Sequence, residues 1–126
     1  MPDRLGAIMN AATCRRALGA PAWQGVAVYM LWSRKDQIPV YCGTARSPSR
    51  LRSHLAKDDL ANGPKGKTHV NPDLRAYCLA QPAGWLGVSF ALFESDDEAR
   101  AVERDIIGRL GIRRYGGQLF NQRLSG

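Results

Sequence analysis

The chain has 126 residues, of which 44% are hydrophobic and 23% charged, the usage of a single globular domain. That composition excludes a disordered or fibrous chain, and no apolar run approaches the ~20 residues of a membrane-spanning helix. Lys and Arg number 18 against 11 Asp and Glu, a net charge of +7, which favours a polyanionic partner, nucleic acid before an anionic membrane. The charge is uneven. Six of the 11 acids lie between Glu94 and Asp105, and from Arg109 onward there are four Arg and no acid. The first residues carry Asp3 and no apolar block with a cleavage site, so no signal peptide is expected. Cys14, Cys42 and Cys78 form no C-x-x-C pair, so neither a zinc finger nor a disulfide framework is expected, and a reducing cytoplasm is the default compartment.

In chain order, Leu5, Ile8, Met9 and Ala12 recur at helical spacing, and Pro21 closes the segment. The pattern predicts a helix over residues 3–18, within an N-terminal segment 1–22 that packs on a domain spanning 23–126. Val26 to Trp32 is apolar without a break, as in a strand covered on both faces. A polar turn at residues 33–37 leads to a second strand, Val40-Tyr41-Cys42, antiparallel to the first. Ser47 as N-cap and Pro48 at the first helical position open a helix that runs to about Lys57. Residues 58–70 read as a surface loop. Asn71-Pro72 begins a short helix that ends before Pro82. Trp85 to Phe93 alternates as a third strand. Ser95-Asp96-Asp97-Glu98 opens a further helix, with Gly111 as its C-cap, and Tyr115-Gly116-Gly117 makes a turn before Leu119-Phe120-Asn121.

Chemistry-bearing positions follow from these elements. On the helix from Asp96 to Leu110, taking Ala99 as zero at about 100° per residue, Val102, Ile106, Leu110 and Ile107 fall near 300°, 340°, 20° and 80°, and Glu103 falls near 40°, inside the apolar arc. A carboxylate there needs a cationic partner or a metal, unless it reaches solvent at the end of the stripe. Arg50 and His54 stand four residues apart on one helix face beside Leu51 and Leu55, an arrangement suited to phosphate binding and proton handling, or simply an exposed basic face. Tyr29 lies inside an apolar strand and Tyr41 ends the next beside Gly43. Either is a core aromatic or a functional phenol on this reading.

Taken together and in this order, Ala27-Val28-Tyr29, then Tyr41-Cys42-Gly43, then Arg50 with His54, then Glu103, then Asn121, the chain resembles the GIY-YIG nuclease family over residues 24–123. Ala27 replaces the Gly of the first motif, Cys42 replaces Ile in the second, and Thr44 stands where many members have Lys. Arg50 rather than Arg52 is matched to the family's helix Arg by the spacing to His54. The resemblance implies an α/β fold, a small three-stranded antiparallel sheet flanked by helices, here with an extra N-terminal helix. It implies a metal-dependent DNA endonuclease, in repair, restriction or a mobile element. It implies Mg2+ (or Mn2+) on Glu103, Arg50 on the phosphate, Tyr29 as general base with His54 as its proton acceptor, and Tyr41 orienting water or phosphate. Gly43, Thr44, Arg46 and Asn121 are then substrate contacts, with Asn121 mainly a clamp. DNA is the implied partner, as monomer or homodimer. The alternatives are a catalytically weak nucleic-acid-binding module of the same fold and a basic adaptor that binds protein.

Overall fold

The computed structural model describes residues 5–10, 13–14, 25–47, 51, 72–82 and 84–121. Among them are four strands, β1 (Met9–Asn10), β2 (Val26–Ser33), β3 (Ile38–Ala45) and β4 (Leu86–Phe93), and two longer helices, α1 (Pro72–Leu79) and α2 (Asp96–Leu110). A short 3-10 turn covers Arg113–Tyr115. The strands form one antiparallel sheet in the order β1-β4-β2-β3.

The mixed α/β class expected from the sequence is therefore present, but the sheet has four strands among the described residues, not three. The additional strand falls where helical spacing predicted a helix. Met9 pairs with Val88 and Asn10 with Gly87. Ile8 and Met9 are half-buried in an extended segment as they would be in a helix, and the edge of β4 decides for the strand by offering backbone partners. The predicted helix at 47–57 and the loop at 58–70 lie outside the described residues, apart from Ser47 and the buried, helical Leu51.

All eight residues of β2 are buried, because this central strand pairs with β3 on one side and β4 on the other and both of its faces are covered. Alternation sends Ala27, Tyr29 and Leu31 to a core shared with Leu51, Leu74 and Cys78, the last two from α1. Val28, Met30 and Trp32 go to the opposite core, shared with Cys42 and with Ala99, Ile106 and Ile107 of α2. The buried Trp32 indole N–H donates to Ser89 Oγ at 2.9 Å, which satisfies a polar atom inside that second core.

The second helix follows the sequence expectation closely, since its signals are local. Ser95 Oγ accepts from Glu98 N at 3.1 Å, and Gly111 donates its N–H to Ile107 O at 2.8 Å. The Glu98 carboxylate reaches back to the N–H of Glu94, at 3.2 Å.

Beyond α2 the chain folds tightly on itself. A Cβ on Gly117 would lie 2.2 Å from the carbonyl carbon of Gly111, so only glycine permits this approach. The turn carries residues 119–121 to the outer edge of β3. That edge is interrupted by a bulge, because the β2–β3 register shifts between Leu31 and Trp32 and leaves Val40 without a strand partner. The Val40 carbonyl accepts instead from Phe120 N at 2.7 Å. Two residues along, the Asn121 side chain stands in for a strand. Its Oδ1 accepts from Cys42 N at 3.0 Å and its Nδ2 donates to Cys42 O at 2.7 Å.

Both Cys42 backbone groups are thus satisfied by one side chain in a buried setting. Asn121→Ala leaves a buried donor and acceptor unmade, at about 1–3 kcal/mol each, and is expected to lower the unfolding free energy by about 2–4 kcal/mol. Urea denaturation measures this, and a loss under about 1 kcal/mol would show that water replaces the clamp.

Candidate functional site

Strand geometry brings together the two tyrosines singled out by the sequence. Tyr29 pairs with Gly43, and Leu31 with Tyr41, across the β2–β3 ladder. The Tyr29 and Tyr41 rings lie on the same face with centroids 6.3 Å apart and planes at 37°, within the range of aromatic pairs that attract. Tyr29 is buried, with 1% of its surface exposed, and Tyr41 is half-buried.

Gly43 explains why a glycine follows Tyr41 by two. A Cβ there would lie 2.6 Å from the Tyr29 hydroxyl oxygen and 2.8 Å from Cζ. The phenol therefore lies flat across Gly43 and occupies the space a side chain would need. The Tyr-x-Gly spacing records a packing requirement between neighbouring strands, with the phenolic oxygen carried over to β3.

Glu103 takes a different position. It lies in the buried stripe of α2 with Ala99, Ile106 and Ile107, and only 1% of its surface is exposed. This helix covers the face of the sheet opposite to Tyr29 and Tyr41. Its charge acts on Cys42, whose thiol is pushed far above its ordinary value, first by burial and second by the Glu103 carboxylate. Cys42 stays a neutral thiol at physiological pH. Cys42 stands where the second motif has isoleucine. Its even place in an alternating strand puts it on the face opposite Tyr41 and Gly43, and the packing of α2 on that face brings it to Glu103.

A carboxylate oxygen is a suitable donor for Mg2+, but Mg2+ keeps several water ligands. Glu103 is buried, with 1% of its surface exposed, and among the described residues no group of three or more His, Cys, Asp or Glu stands together, so an ion at this carboxylate would take most of its ligands from water.

The remaining residues divide. Asn121 clamps the backbone of Cys42, between Tyr41 and Gly43, as a structural group. Thr44 is half-buried on β3. Arg46 is exposed and forms an ion pair with Asp96 at the start of α2, with its Nε 3.3 Å from Oδ1 and its Nη2 on Oδ2. Arg46 holds the Asp96 carboxyl below its ordinary value, by its hydrogen bond first. Arg50 and His54 lie outside the described residues; their neighbour Leu51 is buried in the core that contains Tyr29. The structure thus gathers Tyr29, Tyr41 and Gly43 on one face, with Asn121 at the edge, and sets Glu103 against the other.

Comparison with known proteins adds no relative: no family model, no curated protein and no solved structure matches the chain.

Gly43→Ala is expected to drive the Tyr29 ring out of its place and to cost roughly 1–3 kcal/mol, as overpacking does. A thermal melt measures the loss, and the near-ultraviolet circular dichroism of the tyrosines reports the displacement. A variant that melts with the wild type and keeps its tyrosine spectrum would contradict the tight approach.

Proposed function

We propose that this chain is a DNA endonuclease of the GIY-YIG type, which hydrolyses a phosphodiester at the face of the sheet that bears Tyr29 and Tyr41. One observation carries the reading: two phenols on neighbouring strands, with the hydroxyl of the first laid across the glycine that follows the second. Of the pair, the half-buried Tyr41 is the phenol that solvent and a phosphate reach, and the buried Tyr29 hydroxyl stands behind it. The net charge of +7 supports a nucleic-acid partner.

In the proposed reaction a water attacks phosphorus in line and the P–O bond opposite breaks. Tyr29 takes the proton of the attacking water and passes it toward His54. Arg50 stabilises the charge that develops on the non-bridging oxygens, and Tyr41 orients the phosphate. Mg2+ or Mn2+ belongs to this proposal through the resemblance. When bound, such an ion would stabilise the leaving oxygen.

The burial of Glu103 favours one second reading, a nucleic-acid-binding module of the same architecture without appreciable catalysis. A supercoiled-plasmid nicking assay separates the two. The nuclease reading expects nicked circles in Mg2+ and none in EDTA. The binding-module reading expects no nicking in either, with an affinity that falls steeply with salt. An affinity flat between low and physiological salt would remove nucleic acid as the partner.

Two variants test the chemistry. Tyr29→Phe keeps the ring and its packing, so it is expected to retain stability and DNA affinity and to lose most of the cleavage rate. Normal cleavage by this variant would pass the base role to Tyr41. Glu103→Gln removes the charge and keeps the shape of the side chain, and a thermal melt verifies that the variant is folded. Loss of Mg2+-dependent nicking in that folded variant would assign the metal to Glu103, and wild-type nicking would leave it a structural group.

A further inference from the structure

We infer that the cleft between α1 and the segment after α2 binds a single unstacked nucleobase that carries an exocyclic amino group. The inference rests on the nucleic-acid reading above and adds where, and which, base is held. The cleft encloses about 500 Å³ and is lined by Asp73, Ala76 and Tyr77 of α1 and by Arg113, Leu119, Phe120 and Asn121. Its size falls within the ~300–1,000 Å³ of small-molecule sites.

The lining suits a flat heterocycle. The Tyr77 and Phe120 rings stand 5.0 Å apart at 45°. The Arg113 guanidinium lies over the Phe120 ring, 4.8 Å from its centre, so the surfaces left for a base are the outer plane of the exposed Arg113 and the half-buried Tyr77 ring. Single-stranded nucleic acids are bound by such sets of aromatic rings and guanidinium planes. The platform is braced from behind. Tyr77 packs edge-on against Trp85 at 5.7 Å and 74°, and Phe120 is fixed by its backbone bond to Val40. A rigid platform lowers the ordering cost of binding.

Charge sets the orientation of the occupant. Arg113 is exposed at the cleft and matches a phosphate outside it. Asp73, also exposed on the first turn of α1, repels phosphate and accepts N–H donors. The base edge therefore points toward Asp73 and the backbone toward Arg113. A carboxylate accepts from the amino group of cytosine, adenine or guanine, whereas thymine offers only its ring N3–H.

Position links the cleft to the tyrosine face. Asn121 lines it and also clamps Cys42, the residue between Tyr41 and Gly43. A base drawn out of a stack and seated here belongs to a nucleotide next to β3, the strand that carries Tyr41 and Gly43.

Fluorescence anisotropy in EDTA tests the inference without cleavage. The probes are labelled oligo-dC, oligo-dT and an abasic strand of equal length. The wild type is expected to bind oligo-dC about tenfold more tightly than the abasic strand, the scale of one base–aromatic stack. Ala76→Phe, at an exposed helix position, fills the cleft. It is expected to abolish that advantage and to leave abasic affinity unchanged, and a thermal melt verifies that it is folded. Asp73→Asn alters only a surface group and is expected to remove the preference for oligo-dC over oligo-dT. Salt-dependent binding that is equal for oligo-dC and abasic strands overturns the cleft and leaves the nucleic-acid reading standing. Absence of binding to every strand at low salt overturns both. An oligo-dC advantage that survives in Ala76→Phe places the stacking elsewhere and overturns the cleft.

Discussion

The Asn121 side chain takes the place of a further strand at the outer edge of β3, and the arrangement around the tyrosines depends on it. Its amide meets the N–H and C=O of Cys42 as a neighbouring backbone would. An edge strand with a bulge at Val40 has unpaired backbone groups that invite another chain or water. Here one side chain and one main-chain bond from Phe120 close them. With the edge fixed, Tyr41 and Gly43 hold their register against Leu31 and Tyr29, and the Tyr29 phenol has a constant surface to lie on. The glycine pair at 111 and 117 acts through this clamp, since their close approach turns the chain so that residue 121 reaches β3.

A second constraint is the alternation of a strand. Odd positions of β2 and β3 supply Tyr29, Tyr41 and Gly43, and even positions supply Val28, Met30 and Cys42. One sheet therefore separates two environments by a single backbone thickness. One holds phenols and the core around α1; the other holds a thiol kept protonated by its burial first and by the neighbouring Glu103 carboxylate second. Glu103 belongs to the second for the same reason that Ala99 and Ile106 do, since all three lie on one stripe of α2.

The sequence made the local parts of this legible. Ser95 and Gly111 marked the ends of α2 because caps are short-range devices, and the unbroken apolar run marked β2 as covered on both faces. Glu103 was legible as an anomaly on an apolar stripe, but its environment was not, because which face of the sheet α2 covers depends on long-range packing. β1 was hidden for a related reason. Its residues fit a helical period, and only the free edge of β4 makes them a strand. The cleft left weaker traces. Phe120 beside Asn121, and Tyr77 one residue before the buried Cys78, are individually ordinary, and the turn after α2 is what brings them together.

The account turns on which face of the sheet meets DNA. Titration of the isotopically labelled protein with a short duplex in EDTA, followed by backbone amide shifts, reads this residue by residue. The account predicts the largest shifts at residues 41–44 and 120–121, with the exposed side of α2 from Asp97 to Arg104 unmoved. Shifts concentrated on α2, or none at low salt, would contradict it.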